Sequence, residues 1–192
     1  KRMFDLIFST FAILFILSWM YPLISILIKL SSKGTVLFKQ VRSGVNNENF
    51  ICYKFRSMSL SSNADTKQAT QGDTRITKLG AFLRRSSLDE FPQFVNVFLG
   101  DMSIVGPRPH MLLHTAEYSE LINKYMVRQL VKPGITGVAQ VRGYRGETKE
   151  LEDMEGRIRL DVWYIENWSL SLDINIIFQT IWNMFKGDEK AF

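Results

Sequence analysis

The apolar positions of this 192-residue chain are concentrated at its beginning. From Leu6 to Ile28 the sequence LIFSTFAILFILSWMYPLISILI contains no charged residue. A helix of about 20 such residues reaches across the hydrocarbon layer of a bilayer. We therefore predict a membrane helix within residues 1–33. A secretory signal fits less well, because the run is long and no small-residue cleavage site follows it.

Both flanks of this predicted helix are basic, with Lys1 and Arg2 before it and Lys29 and Lys33 after it. The positive-inside rule therefore favours neither end for translocation. Pro22 removes one helical hydrogen bond and favours a bend past the middle of the run. With a bend the helix enters the membrane and returns to the same face, and without one it spans the membrane. The composition leaves these two alternatives open.

The remaining pattern predicts an α-rich α+β domain over residues 34–192. Two β-rich stretches, GTVLFKQVR and NFICYKFRSM, are separated by SGVNNEN, which predicts a hairpin with an Asn-Asn turn. The polar residues 59–73 predict a mobile loop. Periodic apolar positions predict helices over residues 76–85, 116–131, 147–166 and 171–187.

Two apolar stripes at helical spacing are typical of amphipathic helices that close a core or lie in the headgroup layer. One stripe lies in FPQFVNVFLG and the other in the last long segment. Their members are Phe91, Phe94, Val95 and Phe98, and Ile174, Ile177, Phe178, Ile181, Trp182 and Phe185.

The charge of the chain narrows the classes of partner. A formal net charge of +5 suits nucleic acid, an anionic membrane surface or a phosphorylated substrate. Cations flank the apolar run and the sequence holds no nucleic-acid motif, so we expect membrane lipids and no nucleic acid as partners. The single cysteine, Cys52, excludes an internal disulfide and predicts a domain that faces the cytoplasm. His110 and His114 have the spacing of zinc ligands, but a third ligand is lacking.

The stretch SLDEFPQ places Asp89 and Glu90 side by side, shortly after Arg84 and Arg85. Ser87 and Glu90 fit a capping box, in which each side chain satisfies an N–H group at a helix start. That alternative leaves Asp89 unexplained. Asp89 would lie at the positive end of a helix, near two cations that favour its ionised form. An ionised aspartate can attack phosphorus or bind Mg²⁺, so catalysis and capping both stay open.

Several cations have sequence settings that suit phosphate binding. Lys54 and Arg56 alternate along the second predicted strand and would share one of its faces. Arg108 lies between two prolines, which fix the direction of a guanidinium that can hold phosphate oxygens bidentately. A proline-rich connector with a solvated arginine is the alternative. Arg142 and Arg145 stand among the glycines of KPGITGVAQVRGYRGET, which let the backbone approach a ligand closely.

Taken together, these stretches resemble the bacterial monotopic phosphoglycosyl transferases, also called polyprenyl-phosphate sugar phosphotransferases, over nearly the whole chain. The resemblance implies a monotopic fold with a re-entrant helix that breaks at a Ser-Pro pair. Here that pair is Tyr21-Pro22, with the serine displaced to Ser18. It also implies interfacial helices that seat the site at the cytoplasmic face of the bacterial inner membrane. The stretches that carry it are KRMFD, the apolar run, YKFRSM, LRRSSLDEFPQFVNVFLGDMSIVGPRP, KPGITGVAQV and LDVWYIENWSLSLDINIIFQT.

The resemblance further implies a two-step reaction. Asp89 attacks the sugar-proximal phosphate of a UDP-sugar, releases UMP and keeps the phosphosugar, which then passes to undecaprenyl phosphate. Mg²⁺ held near Asp89 neutralises the diphosphate. Glu90 supports metal or proton handling, and the cations Lys54, Arg84 and Arg108 face phosphates.

One stretch, GYRGETKELEDMEGRIRLDVWYIENWSL, resembles the branch that transfers glucose-1-phosphate at the start of exopolysaccharide or capsule assembly. Arg142 and Val138 stand where many relatives have asparagine and tryptophan, so a galactose or N-acetyl-sugar donor stays an alternative. The branch often carries an additional N-terminal multi-helix region, and we expect this chain, which begins at Lys1, to be a processed or partial product.

Two functions of other kinds also stay open. A membrane-anchored scaffold of polysaccharide assembly would use the same anchor without chemistry. Hydrolysis of lipid diphosphates would use the same carboxylate and metal with water in place of the lipid acceptor. A homo-oligomer is compatible with each of these functions.

Overall fold

The N-terminal helix, Arg2–Ser31, is the first element of the chain. The computed structural model describes residues 1–59, 70, 72–144, 146 and 150–186, apart from the side chain of Phe185. The N-terminal helix consists of α1 (Arg2–Ala12), a π-helical turn (Ile13–Leu17) and α2 (Ser18–Ser31). By length and composition it could cross a membrane, as the apolar run predicts.

Pro22 lies inside α2, and the helix continues through it to Ser31. The irregular part comes earlier, in the π-helical turn. The Ser18 hydroxyl donates to the Leu14 carbonyl at 2.6 Å, so it bonds to the preceding turn. The backbone of the N-terminal helix is therefore helical from Arg2 to Ser31. The re-entrant geometry stays a prediction.

The predicted hairpin is confirmed. Strands β1 (Leu37–Ser43) and β2 (Asn49–Phe55) pair antiparallel, with Leu37 opposite Phe55 and Ser43 opposite Asn49. Their connection is a short 3₁₀ turn in which both asparagines, Asn46 and Asn47, have positive φ angles of 51° and 62°. Asparagine adopts this left-handed conformation more readily than most residues, which explains the Asn-Asn turn.

A second, smaller sheet was not predicted. Strands β3 (Ser103–Val105) and β4 (Gly134–Thr136) pair in parallel, and both are only three residues long. Gly106 packs directly against this pair, since a Cβ added at Gly134 would lie 2.1 Å from the Gly106 nitrogen. The glycines of the KPGITG segment therefore serve backbone packing beside the sheet.

The remaining helices surround the two sheets. They are α3 (Lys78–Arg85), α4 (Gln93–Leu99), α5 (Leu112–Leu121), α6 (Val138–Val141), α7 (Leu151–Glu166) and α8 (Leu170–Lys186), with 3₁₀ turns at Leu88–Glu90 and Tyr125–Leu130. The chain is thus helix-rich α+β, as predicted. The predicted loop at 59–73 stays a prediction, because residues 60–69 and 71 lie outside the described part.

The prediction of one helix over residues 116–131 is wrong. Helix α5 ends before Ile122, and Lys124 has a positive φ of 65°. The chain then continues as a 3₁₀ turn that directs the buried side chains of Tyr125 and Arg128 inward. Their tertiary contacts override the helical periodicity of the sequence.

The N-terminal helix contributes to both main apolar cores. Phe4 and Phe8 pack against the first core, which is formed by Cys52, Val97, Met102, Ile104, Val105, Val138, Tyr164 and Ile176. The second core joins the helix to the hairpin and α3 through Leu17, Met20, Ile24, Ile28, Phe55 and Leu83. The opposite face of the helix is exposed, and α8 exposes part of its predicted stripe as well, with Phe178 at 68% and Trp182 at 70%.

Polar contacts fix the start of the N-terminal helix to the rest of the chain. The Arg2 guanidinium donates to the carbonyls of Val97 and Phe98, at 2.6 and 2.8 Å, at the end of α4. The buried Asp5 carboxylate accepts from the Ser103 hydroxyl at 2.9 Å. These charged side chains bond to groups at the ends of neighbouring elements, which sets the position of the helix.

Candidate active site

The two adjacent carboxylates lie in the 3₁₀ turn Leu88–Glu90, between α3 and α4. Both are buried, with Asp89 7% and Glu90 9% exposed. Ser87 precedes the turn with a φ of 58° and makes no side-chain cap hydrogen bond. The capping-box alternative is therefore wrong, because the Glu90 carboxylate bonds to cations from other elements.

Glu90 is held by two cations. Lys54 Nζ lies 2.7 Å from Glu90 Oε1. The Arg108 guanidinium bonds with both of its terminal nitrogens, Nη2 to Oε1 at 2.7 Å and Nη1 to Oε2 at 3.2 Å. Burial by itself raises the pKa of Glu90, but the charges and hydrogen bonds of Arg108 and Lys54 outweigh it and hold that pKa well below its ordinary value. Glu90 is therefore ionised at neutral pH.

Asp89 has a different environment from its neighbour. Burial is the largest influence and raises its pKa, and the Glu90 charge raises it further. Lys54, Arg84 and Arg108 lower it, but the net result is a pKa of about 6. Among the described residues none donates a hydrogen bond to this carboxylate. Arg84 favours the ionised form, as expected, but burial, which the sequence does not reveal, outweighs the cations.

Asp89 is therefore a nucleophile candidate. At neutral pH the larger part of it is ionised, since its pKa of about 6 lies below 7. Its oxygens keep their full capacity to attack or to bind a cation, because described donors do not occupy them. A buried carboxylate with a raised pKa beside specific charges is the arrangement found at many functional sites.

Arg84 is brought to Asp89 by helix α3. The Thr77 hydroxyl caps this helix by accepting from the Gly80 N–H at 2.9 Å. A Cβ at Gly80 would lie 1.7 Å from the Ser57 carbonyl oxygen, so α3 packs directly on the chain that follows β2. At the other end of the helix Arg84 lies 3.5 Å from the Ser57 hydroxyl and contributes to the field at Asp89.

Arg108 is positioned through its own backbone. Its carbonyl accepts from Arg128 Nη2 at 2.6 Å, and Arg128 Nη2 also lies 3.0 Å from Asp161 Oδ2. Arg128 and Asp161 are both buried, so this ion pair is rigid. The alternative of a solvated connector arginine is wrong, because Arg108 pairs with Glu90. The sequence analysis missed Arg128 and Asp161, whose only signal was a charged residue on the buried face of a helical pattern.

The structure does not bring every predicted cation to this site. Arg56 lies just beyond the end of β2 and donates to the carbonyls of Ser32 and Lys33, at 2.8 and 2.6 Å, at the end of the N-terminal helix. It therefore does not converge with Lys54 on Glu90, contrary to the expectation of a shared strand face. Arg142 follows α6 and is exposed. Arg145 lies outside the described residues.

His110 and His114 lie side by side, with ring centroids 6.4 Å apart. His110 is buried, its Nδ1 lies 2.6 Å from the Tyr125 hydroxyl, and burial lowers its pKa well below the ordinary value. No group of three or more His, Cys, Asp or Glu side chains in the described part of the chain is arranged to hold a metal ion.

Fold and site together define a helix-rich chain with one apolar helix at its start and a buried carboxylate pair among cations, a combination suited to phosphate chemistry. The family described as bacterial sugar transferase matches residues 1–187. The chain belongs to this family.

Individual relatives carry more detailed names. The chain is 51% identical over 188 residues to a UDP-glucose:undecaprenyl-phosphate glucose-1-phosphate transferase from Klebsiella pneumoniae, covering 97% of this chain and 40% of that protein. It is 45% identical over 186 residues to the exopolysaccharide production protein PSS from Rhizobium leguminosarum bv. phaseoli, covering 94% of this chain and 92% of that protein.

A third relative is named for another sugar. It is a UDP-N-acetylgalactosamine-undecaprenyl-phosphate N-acetylgalactosaminephosphotransferase from Aeromonas hydrophila, 43% identical over 164 residues, covering 85% of this chain and 38% of that protein. The chain thus spans about two fifths of the length of the Klebsiella and Aeromonas relatives.

Proposed function

We propose that this chain transfers a sugar-1-phosphate, with glucose-1-phosphate as the favoured group, from a UDP-sugar to undecaprenyl phosphate and releases UMP. The observation that carries this proposal is the contrast within the carboxylate pair. Glu90 is fully engaged by Lys54 and Arg108, whereas Asp89 is buried, has a pKa of about 6 and accepts no hydrogen bond from the described residues.

In the first step an ionised Asp89 oxygen attacks the sugar-proximal phosphorus. The bond between that phosphorus and the bridging oxygen breaks, the electron pair leaves with UMP, and an aspartyl phosphosugar remains. Lys54, Arg84 and Arg108 supply positive charge where the phosphoryl oxygens gain charge. In the second step an oxygen of undecaprenyl phosphate attacks the same phosphorus and frees Asp89.

The donor set also fits Mg²⁺. This ion takes oxygen ligands, and it is commonly bound by one or two carboxylates together with substrate phosphates. The Asp89 carboxylate meets that requirement, while both Glu90 oxygens are taken by cations. Asp89 and the diphosphate oxygens would hold the ion, which when bound neutralises the charge of the diphosphate.

The N-terminal helix supports a lipid as the acceptor, because it would bring the chain to a membrane. Its exposed apolar face would hold the chain on membrane lipids, at the cytoplasmic face of the bacterial inner membrane, where undecaprenyl phosphate is concentrated. The names of the Klebsiella and Rhizobium relatives support glucose as the sugar and exopolysaccharide production as the process. The name of the Aeromonas relative supports an N-acetyl sugar as the alternative.

Release of UMP tests the proposal. Purified chain in detergent, with Mg²⁺ and undecaprenyl phosphate, is assayed across UDP-glucose, UDP-galactose and UDP-N-acetyl sugars. We expect release with UDP-glucose that Asp89→Asn abolishes and that Asp153→Asn, on the exposed side of α7, leaves intact.

Three outcomes separate the alternatives. Retained UMP release by Asp89→Asn would refute the covalent step. Consumption of a lipid diphosphate by water would favour hydrolysis. No release with any sugar, together with loss of polysaccharide assembly in cells when residues on the exposed side of α7 are changed, would favour the scaffold.

A further inference from the structure

Helix α7 carries a buried arginine that the proposed reaction does not use. Arg157 is only 6% exposed. Its Nη2 donates to the Gly146 carbonyl at 3.1 Å. Its Nε is buried and has no hydrogen-bond partner in the part of the chain that the structure describes. A buried donor without an acceptor is unfavourable, so this N–H requires an acceptor that the described residues do not supply.

The described residues compensate the charge of Arg157 only in part. Asp161 lies one turn further along α7, but its carboxylate is engaged by Arg128. The ion pairs among the described residues do not include Arg157. Burial, followed by the repulsion of Arg108 and Arg128, lowers its pKa to about 10. A buried cation among other cations is favourable only when an anion joins them.

The position of Arg157 connects it to the carboxylate pair. Arg128 links the two, because its guanidinium bonds to the carbonyl of Arg108, which holds Glu90, and to Asp161, one turn along α7 from Arg157. On the same side of α7, Tyr144 packs against Gly156, since a Cβ added at Gly156 would lie 2.6 Å from the Tyr144 hydroxyl oxygen. Tyr144 and the Gly146 carbonyl therefore both lie against α7 near Arg157.

We propose that Arg157 forms a second phosphate subsite, next to the Glu90–Arg108 pair, and that it binds the nucleotide phosphate of the UDP-sugar. This inference rests on the proposed function and deepens it. If Asp89 attacks the sugar-proximal phosphorus among Lys54, Arg84 and Arg108, the other phosphate of the donor lies one bridging oxygen away. The unpartnered Nε–H and the excess positive charge match that phosphate, because a guanidinium binds phosphate oxygens with several parallel donors.

Nucleotide binding tests the subsite without turnover. The dissociation constants of UMP and of uridine are measured for the full chain in detergent by titration calorimetry, and their ratio isolates the contribution of the phosphate. We expect Arg157→Gln to reduce the UMP preference over uridine at least tenfold. Arg157→Lys, which keeps the charge but loses the Nε donor, should retain part of it. Arg159→Gln, on the exposed side of the same helix, should leave the ratio unchanged.

The UMP-to-uridine ratio of the Arg157 variants can support or overturn the subsite. A UMP-to-uridine ratio that is unchanged in folded Arg157→Gln, or in Arg157→Lys if the glutamine variant does not fold, overturns the proposal. The proposal is also overturned if the Arg157 variants change only the affinity for a short-chain polyprenyl phosphate. That result would show that Arg157 binds the lipid acceptor. If the ratio depends on Arg157 while UMP release fails with every sugar, the subsite stands and the transfer reaction falls.

Discussion

Arg108 meets Glu90 side-on, with Nη2 2.7 Å from Oε1 and Nη1 3.2 Å from Oε2. This bidentate pair, completed by Lys54, uses both oxygens of Glu90. The neighbouring Asp89 lies in the same field of charges without a described hydrogen bond. One backbone turn therefore holds a carboxylate that stays ionised and a carboxylate that titrates near neutral pH.

The rate of the first half-reaction should follow the ionisation of Asp89. Because its pKa is raised to about 6, the nucleophilic form is lost as the pH falls through that value. Single-turnover UMP release should be level above about pH 7 and should fall about tenfold per pH unit well below the pKa. Rapid-quench assays between pH 5 and 8 measure this, and a flat profile down to pH 5 would contradict it.

Asp89→Asn should stabilise the fold at pH 8 while it abolishes turnover. The folded pKa of about 6 exceeds the ordinary 3.8, so the folded state holds this proton more tightly than the unfolded state. The stabilisation that this proton provides is complete below the pKa of Asp89 in the unfolded state. It is lost as the pH rises through the folded pKa of about 6. Above that pH the buried, ionised Asp89 carboxylate lowers the free energy of unfolding by up to about 3 kcal/mol. The uncharged asparagine amide of the variant removes this cost.

Urea unfolding at several pH values measures this difference. The gain of Asp89→Asn over the original chain should be largest at pH 8 and should disappear near pH 4. Asp153→Asn, which changes an exposed carboxylate, is the matched control and should show no such gain. A variant that is less stable than the original chain at pH 8 would refute the raised pKa.

Glu90→Gln should destabilise the chain and shift the titration of Asp89. The change leaves Lys54 and Arg108 without their carboxylate, and breaking a buried pair in this way costs about 3–5 kcal/mol. Because the Glu90 charge raises the pKa of Asp89, its removal should move the midpoint of residual activity to lower pH. Denaturant unfolding and the pH profile measure the two effects, with the exposed Glu152→Gln as control. Unchanged values of both would count against the described pair.

Arg56→Gln should affect stability and leave donor affinity unchanged. Its guanidinium bonds to the Ser32 and Lys33 carbonyls at the end of the N-terminal helix, so losing these bonds to a charged donor should cost about 2 kcal/mol. Lys54→Gln is the comparison, because Lys54 contacts Glu90 directly. This substitution should raise the KM for the UDP-sugar. A raised KM in Arg56→Gln as well would restore the phosphate-binding role that its sequence setting suggested.

Much of the site could be predicted because its signals are local. The Asn-Asn turn, the adjacent carboxylates and the proline-flanked Arg108 can each be read within a few residues. The buried Arg128–Asp161 pair could not be predicted, since 33 positions separate the two residues and only packing brings them together. The raised pKa of Asp89 could not be predicted for the same reason, because burial is a property of the whole fold.

The smaller sheet and the direction of Arg56 illustrate two further limits. Strands β3 and β4 have three residues each, too few for alternation of apolar and polar positions to show. Arg56 follows Lys54 with the spacing of one strand face, but β2 ends at Phe55, between the two residues. Spacing predicts a shared face only while the regular element continues.

The N-terminal helix is attached at both ends, through Arg2 and Asp5 at its start and through Arg56 at its end. Such a helix cannot slide or rotate independently of the domain that carries Asp89. If the helix lies among the lipid tails, as proposed, its depth sets the height of that carboxylate relative to the plane of the lipid phosphates. Under the proposed reaction, a membrane of different thickness would then change the level at which the Asp89 oxygen and the acceptor phosphate meet, and the reaction rate should depend on bilayer thickness.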